Sequence, residues 1–233
     1  MPASLTGIHH VTCITGDVQK NVDFYVSVLG LRFVKKSINQ DVPDTYHLYF
    51  ADYVGSPGTA MTFFGWPHLP KHVAGRGQVT TVSFALPEGS IDFWSERLRN
   101  LRVDSRRASR FDGEMILLLD PDGIQLELVE SKPHSPFVPW KDGPVDEAHA
   151  IHGFYSVTLT VTEALKTVEL LQKTMGFKQT KQEGNRTRFE TGPRGQGSIA
   201  DVIESPEAPV GEEGTGTVHH VAWRAKDEGL QQE

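Results

Sequence analysis

Cysteine is almost absent from this 233-residue chain. The single thiol, Cys13, cannot form an internal disulfide, so no covalent staple holds the fold. Its apolar, strand-like setting reads as a small core residue in a reducing compartment rather than a reactive thiol. Positive charge is also short. Lys and Arg number 23 against 30 Asp and Glu, and the net charge of −7 argues against nucleic acid, whose footprint is a basic patch. No run approaches the roughly 18 apolar residues of a membrane span. The opening MPASLTGIHH has neither a basic nor an apolar leader region, so no signal peptide is apparent. These absences lead us to expect a cytoplasmic protein with no membrane or nucleic-acid partner. With 38% apolar and 23% charged residues, the composition is that of an ordinary globular protein.

What is present is a repeat. Ile8 to Ile14 (IHHVTCI) mixes β-branched and apolar residues, as strands do. Asp17 is placed to cap a helix whose apolar positions are Val22, Tyr25, Val26 and Leu29, and Gly30 closes it. Strand-like runs follow at Leu31 to Ile38, Thr45 to Ala51 and Thr59 to Phe64. The same order returns 146 positions later: Val157-Thr158 fall on Val11-Thr12, and Gly176 falls on Gly30. Val79 to Glu130 holds another copy, with a strand VTTVSFAL, a helix IDFWSERLRN capped by Ser90, a strand from Arg102 and a strand EMILLL. The turn Asp120-Pro121-Asp122-Gly123 then leads into IQLELVE, which alternates as a half-buried strand should. A fourth copy opens at Thr217-Val218-His219-His220-Val221, with one strand and the start of a helix. The proline-rich stretch Lys132 to Pro144 reads as a crossover. The expected organisation is four βαβββ modules at residues 1–68, 69–145 (with the crossover), 146–210 and 211–233, the last incomplete. The fold class is α+β, with curved mixed sheets around a cleft.

Two histidine pairs, His9-His10 and His219-His220, stand at the same point of the first and fourth modules. Histidine is the commonest metal ligand, and a strand aims alternate side chains at one face. The pleat should therefore send one ring of each pair into a shared cleft and the other away. The equivalent positions of the other modules hold Thr81 and Ser156. Four residues beyond the glycine of each final hairpin come Thr62, Glu127 and Asp201. Glu127 and Asp201 should share a second cleft that lacks histidine, read as a vestigial, non-metal site. Glu127 could also be no more than a solvated strand carboxylate.

These residues resemble the vicinal oxygen chelate superfamily, which includes glyoxalase I, extradiol dioxygenases and antibiotic-resistance binding proteins. More narrowly, GIHHVTCITGDVQKNVDFYVSVLGLRFVKKSINQD, TYHLYFAD and TVHHVAWR are similar to the four-module hydroquinone-type ring-cleaving dioxygenases. The resemblance implies one active site built by modules one and four. It implies His10 and His220 as metal ligands, with His9, His219 and Thr12 as catalytic or substrate-contacting residues, and His47 as a weaker pocket candidate. It further implies Fe(II), with Mn(II) or Zn(II) as alternatives, and a hydroquinone- or catechol-type aromatic cleaved with O2. A glyoxalase-like isomerase and a non-catalytic ligand-binding protein are the competing expectations. The family's third ligand, a Glu, is expected beyond residue 233, so the chain as given should bind Fe(II) weakly and turn over little. Homo-oligomerisation is left open.

Overall fold

The computed structural model describes residues 5–227 and 229, apart from 41, 112 and 133–135. The first strand, β1 (Ile8–Thr15), leads to α1 (Val18–Asp23), whose Asp17 side chain accepts from the Lys20 N–H at 3.1 Å as a capping residue should. The last turn of this helix widens to a π-turn over Phe24–Val28 before β2 (Arg32–Ile38), β3 (Tyr46–Ala51) and β4 (Ala60–Gly65). Next come β5 (Gln78–Leu86), α2 (Ile91–Asn100), β6 (Ser105–Arg110), β7 (Gly113–Leu119) and β8 (Gln125–Glu130). The third set is β9 (Phe154–Val161), α3 (Leu165–Glu169) with a π-turn over Leu170–Thr174, β10 (Lys178–Glu183), β11 (Arg186–Glu190) and β12 (Ile199–Glu204). One further strand, β13 (Val218–Trp223), follows. The start of a helix expected after it falls largely on residues outside those described.

The offset read from the sequence runs through the backbone. Strand β9 lies 146 positions after β1 at both ends, and the two π-turns, Phe24–Val28 and Leu170–Thr174, keep the same spacing. Gly30 and Gly176 both sit at φ +73°, the left-handed geometry that ends a helix. Two local expectations are corrected. Ser90 makes no capping bond: the Ile91 N–H is taken by the Glu130 carboxylate at 2.8 Å, and the Ser90 hydroxyl meets His149 Nδ1 instead. The strand expected from Arg102 begins at Ser105, because Arg102 itself turns left-handed at φ +58° to close α2.

The strands form two mixed sheets with orders β13-β1-β4-β3-β2 and β10-β11-β12-β9-β5-β8-β7-β6. Each is organised about an antiparallel pair of module-opening strands, β1 with β13 and β5 with β9. A main core, in which Tyr25, Phe63, Phe84, Trp94 and Phe154 are essentially inaccessible, joins the two sheets with α1 and α2, and a smaller one around Leu171, Phe177 and Phe189 lies under α3. The Asp120–Gly123 turn ties the sheets together. Asp122 accepts from the Thr15 hydroxyl at 2.6 Å and from the Gly16 N–H at 3.0 Å, and Asp120 accepts from the buried Tyr25 hydroxyl at 3.2 Å. Where the starts of β4 and β9 approach each other, the Phe154 N–H donates to the Gly58 carbonyl at 2.9 Å.

Candidate metal centre

The β1–β13 ladder is irregular at the histidines. Its register runs from Ile8↔Trp223 to His10↔Ala222, and from Thr12↔His220 to Cys13↔Val218, so His9 and His219 are each left without a partner across the ladder. An extra residue of this kind kinks a strand and re-aims its side chains. The expectation that each pair splits between opposite faces is therefore overturned. His9 Nδ1 lies 2.9 Å from His10 Nδ1, and His219 Nδ1 lies 2.8 Å from His220 Nδ1. A regular pleat would hold the rings apart; the two bulges bring the rings of each pair into contact.

His10 and Thr12 share one face of β1, as residues two apart must, and Thr12 stands opposite His220. His10 Nε2 and His220 Nε2 come within 3.1 Å, and the Thr12 hydroxyl lies 2.9 Å from the same His220 nitrogen. Thr12 continues to Thr62 at 2.7 Å, Thr62 to His47 Nε2 at 3.0 Å, and the Tyr49 hydroxyl to His47 Nδ1 at 2.8 Å. One polar row thus crosses β13, β1, β4 and β3. Phe64 walls it, 4.6 Å from the His47 ring and 5.3 Å from the His219 ring between centroids, with Trp66 beyond. His47 is accordingly a half-buried member of the site. Tyr49, Phe64 and Trp66 were not singled out from the sequence, and Thr62 was placed only as the counterpart of Glu127 and Asp201, not as the link between Thr12 and His47. The alternation His47-x-Tyr49 and Thr62-x-Phe64 on adjacent strands is the signal that would have found them.

Electrostatics hold these rings neutral. Burial, then the neighbouring charges of His220, His9 and His47, lowers His10 to about 4. Burial, then His220 and Lys35, lowers His47 to about 4. His220 is lowered by burial and by His219, and His9 by burial and by Arg224. A neutral imidazole offers the lone pair that a metal needs. The separation also suits one: two nitrogens each about 2.1 Å from a single ion and at right angles to one another would be about 3.0 Å apart. The donor set therefore fits a divalent metal through His10 and His220. No third His, Cys, Asp or Glu completes a cluster among the described residues.

The second cleft is chemically different. Glu127 is buried rather than solvated; it accepts from the Ser83 hydroxyl at 2.6 Å and from Arg110 at 2.8 Å. Asp201, fully buried, accepts from Arg188 Nε and Nη2 at 2.8 and 2.9 Å and from Arg186 Nη1 at 3.0 Å. Thr81 and Ser156 are buried on the central strands β5 and β9, which lie between β8 and β12. Carboxylates already neutralised by guanidiniums offer a cation little net negative charge.

The profile of the Glyoxalase/Bleomycin resistance protein/Dioxygenase superfamily matches residues 7–128. The chain belongs to this superfamily. Among its relatives within it, the Bacillus subtilis (strain 168) protein named "Putative ring-cleaving dioxygenase MhqO" is 41% identical over 98% of this chain and 72% of its own length. The chlorohydroquinone/hydroquinone 1,2-dioxygenase of Sphingobium indicum is 33% identical over 97% of this chain and 73% of its own. The crystal structure of a candidate dioxygenase from Bacillus subtilis subsp. subtilis str. 168 superposes with a TM-score of 0.92 at 40% identity, covering 99% of this chain and 73% of that one. Glyoxalase I of Zea mays shares the fold, with a TM-score of 0.68 at 15% identity over 97% of this chain and 77% of that one. Membership in the superfamily implies a divalent metal. No helix among the described residues is long and apolar enough to cross a membrane.

Proposed function

We propose that this chain is a metal-dependent ring-cleaving dioxygenase acting on a hydroquinone- or catechol-type aromatic, with Fe(II) held by His10 and His220. The observation that carries the reading is the convergence of two neutral Nε2 atoms at 3.1 Å from equivalent strands. Relatives named for ring cleavage add support. When bound, Fe(II) would stabilise a phenolate oxygen and supply the redox partner for O2. The chain's own residues do the rest. Phe64 and Trp66 offer a flat apolar wall for an aromatic ring and keep water from it. His9, neutral because of burial and Arg224, has a lone pair with which to take the phenol proton. Thr12 fixes the His220 ring in the metal-free protein and can turn its hydroxyl to Thr62 when that nitrogen is engaged. Glu127 stays outside the metal site, bound to Ser83 and Arg110.

Titration of the metal-free 233-residue protein with Fe(II) or Mn(II), followed by calorimetry and by mass spectrometry of retained metal, tests the ligand assignment. His10→Ala and His220→Ala should abolish what binding the wild type shows, and Glu127→Ala should keep it. Loss of metal in Glu127→Ala to the same degree would sink the assignment. Oxygen uptake on hydroquinone after anaerobic Fe(II) loading, set beside turnover of the methylglyoxal–glutathione hemithioacetal, separates ring cleavage from isomerisation. Turnover of the hemithioacetal alone would overturn the dioxygenase reading.

A further inference from the structure

A cavity of about 630 Å³ opens away from the histidines, on the face of the eight-stranded sheet that carries Glu127. Its volume lies within the range of small-molecule sites. Its wall is apolar where Leu117, Leu119 and Ile203 line it, and Leu119, the last residue of β7, is 55% exposed. Its polar end is cationic. Arg106, Arg110 and Arg186 line it against two carboxylates, Asp104 and Glu127. Around Glu127 and Asp201 stand Arg110, Arg186 and Arg188, so three guanidiniums face two carboxylates and one positive charge is unbalanced.

The surplus has free donors. Among the described residues, Arg188 spends Nε and Nη2 on Asp201 and Nη1 on the Tyr155 hydroxyl at 3.0 Å. Among the described residues, Arg186 uses only Nη1, shared between Asp201 and the Thr158 hydroxyl, and Arg110 uses only Nη1, on Glu127. Each of these two guanidiniums keeps further N–H groups for an acceptor. Their mutual repulsion is visible in Arg186, whose basicity is lowered by burial first and by Arg110 next. An anion placed between them relieves that repulsion, and a guanidinium fork matches a carboxylate with two parallel bonds.

We propose that this cavity is a second ligand site, separate from the histidine cleft, that takes a small organic carboxylate with an apolar, ring-sized body. The carboxylate meets the free N–H groups of Arg110 and Arg186, and the body lies along Leu117, Leu119 and Ile203. The cleft is thus a site of a different chemistry rather than a worn-out copy of the first. This inference does not depend on the ring-cleavage reading, because it concerns the metal-free protein.

The test is ligand-observed NMR and calorimetry on the EDTA-treated 233-residue chain, with benzoate, benzyl alcohol, acetate and inorganic phosphate as probes. Benzoate should bind saturably and more tightly than the other three: benzyl alcohol lacks its charge, and acetate and phosphate lack its ring. Leu119→Asp changes an exposed side chain and leaves the buried ion pairs in place; it should weaken benzoate about tenfold or more, as loss of apolar contact plus a like charge requires. Arg186→Gln should weaken it to a similar degree while Arg188 still holds Asp201, and circular dichroism verifies the fold of both variants. His10→Ala should leave benzoate binding unchanged. Equal binding of benzoate and benzyl alcohol would overturn the proposal. So would indifference to Leu119→Asp, or loss of binding in His10→Ala.

Discussion

Removing the Asp201 carboxylate should be among the most damaging single changes available outside the apolar core. Its oxygens accept three guanidinium N–H bonds, and its side chain is wholly inaccessible, with Arg188 and Arg186 only 7% and 12% exposed. Asp201→Ala leaves the buried Arg188 and the partly buried Arg186 side by side without the carboxylate they share, and breaking a buried pair in this way costs about 3–5 kcal/mol. For a chain of this length that corresponds to a fall in Tm of roughly 6–20 °C. Arg188→Ala should cost less, near the lower end of about 3 kcal/mol, because Arg186 still reaches Asp201. Arg110→Ala should cost less again, since the Ser83 hydroxyl keeps a hydrogen bond to Glu127. Lys173→Ala breaks the exposed pair with Glu169, 2.8 Å apart, and should change stability by at most about 0.5 kcal/mol. Urea unfolding of the four variants by fluorescence reads the order directly. An Asp201→Ala protein within about 1 kcal/mol of wild type would refute the reasoning, since no buried pair of this kind is silent.

Asp120 supplies a pH dependence. Burial, ahead of the opposing backbone N–H bonds from Ile124 and Asp122, raises it to about 7. A carboxyl that is harder to ionise when folded stabilises the protein in its protonated form. That contribution is full below about pH 4 and is lost as pH rises through about 7. Urea midpoints at pH 5 and pH 8 should therefore fall with pH in the wild type by more than in Asp120→Asn; parallel profiles would contradict the assignment. Gly153 tests the junction of the sheets: at φ +107°, a Cβ there would lie 2.5 Å from the Gly58 carbonyl oxygen, which is backbone and cannot step aside. Gly153→Ala should lose at least about 2 kcal/mol in the same assay, and a neutral result would mean that the junction relaxes freely.

The repeat was legible because strand, helix, cap and hairpin residues carry their own local physics. Gly30 and Gly176 close equivalent helices at one φ value, and Asp17 caps where its type and place say it should. The histidine pairs were legible as residues but not in their arrangement. Nothing in IHHV or VHHV announces a bulge, since the bulge belongs to the pairing of two strands far apart in the chain and not to either strand. The arginine network of the second cleft was hidden for a related reason. Arg186 and Arg188 alternate on a strand that reads as an ordinary polar edge, and only the register Arg188↔Asp201 turns them inward as partners of a buried carboxylate. Ser90 failed as a cap because a stronger acceptor, Glu130, arrives from another strand.

The β1–β13 pairing also bears on the order in which the molecule assembles. His10 and His220 are 210 residues apart, whereas the β5–β9 pairing joins Thr80 to Thr160 across 80. Loop closure grows with the logarithm of length, so the first pairing carries an entropic handicap of about 0.9 kcal/mol over the second. Contacts of high sequence separation form late. The eight-stranded sheet should therefore set first, and pulse-labelled hydrogen exchange should show β5 and β9 amides protected before those of β13; the reverse order would contradict this. The two histidines meet only when that last edge closes, so a chain part-way to its native state offers a passing metal ion two separate imidazoles and no chelate.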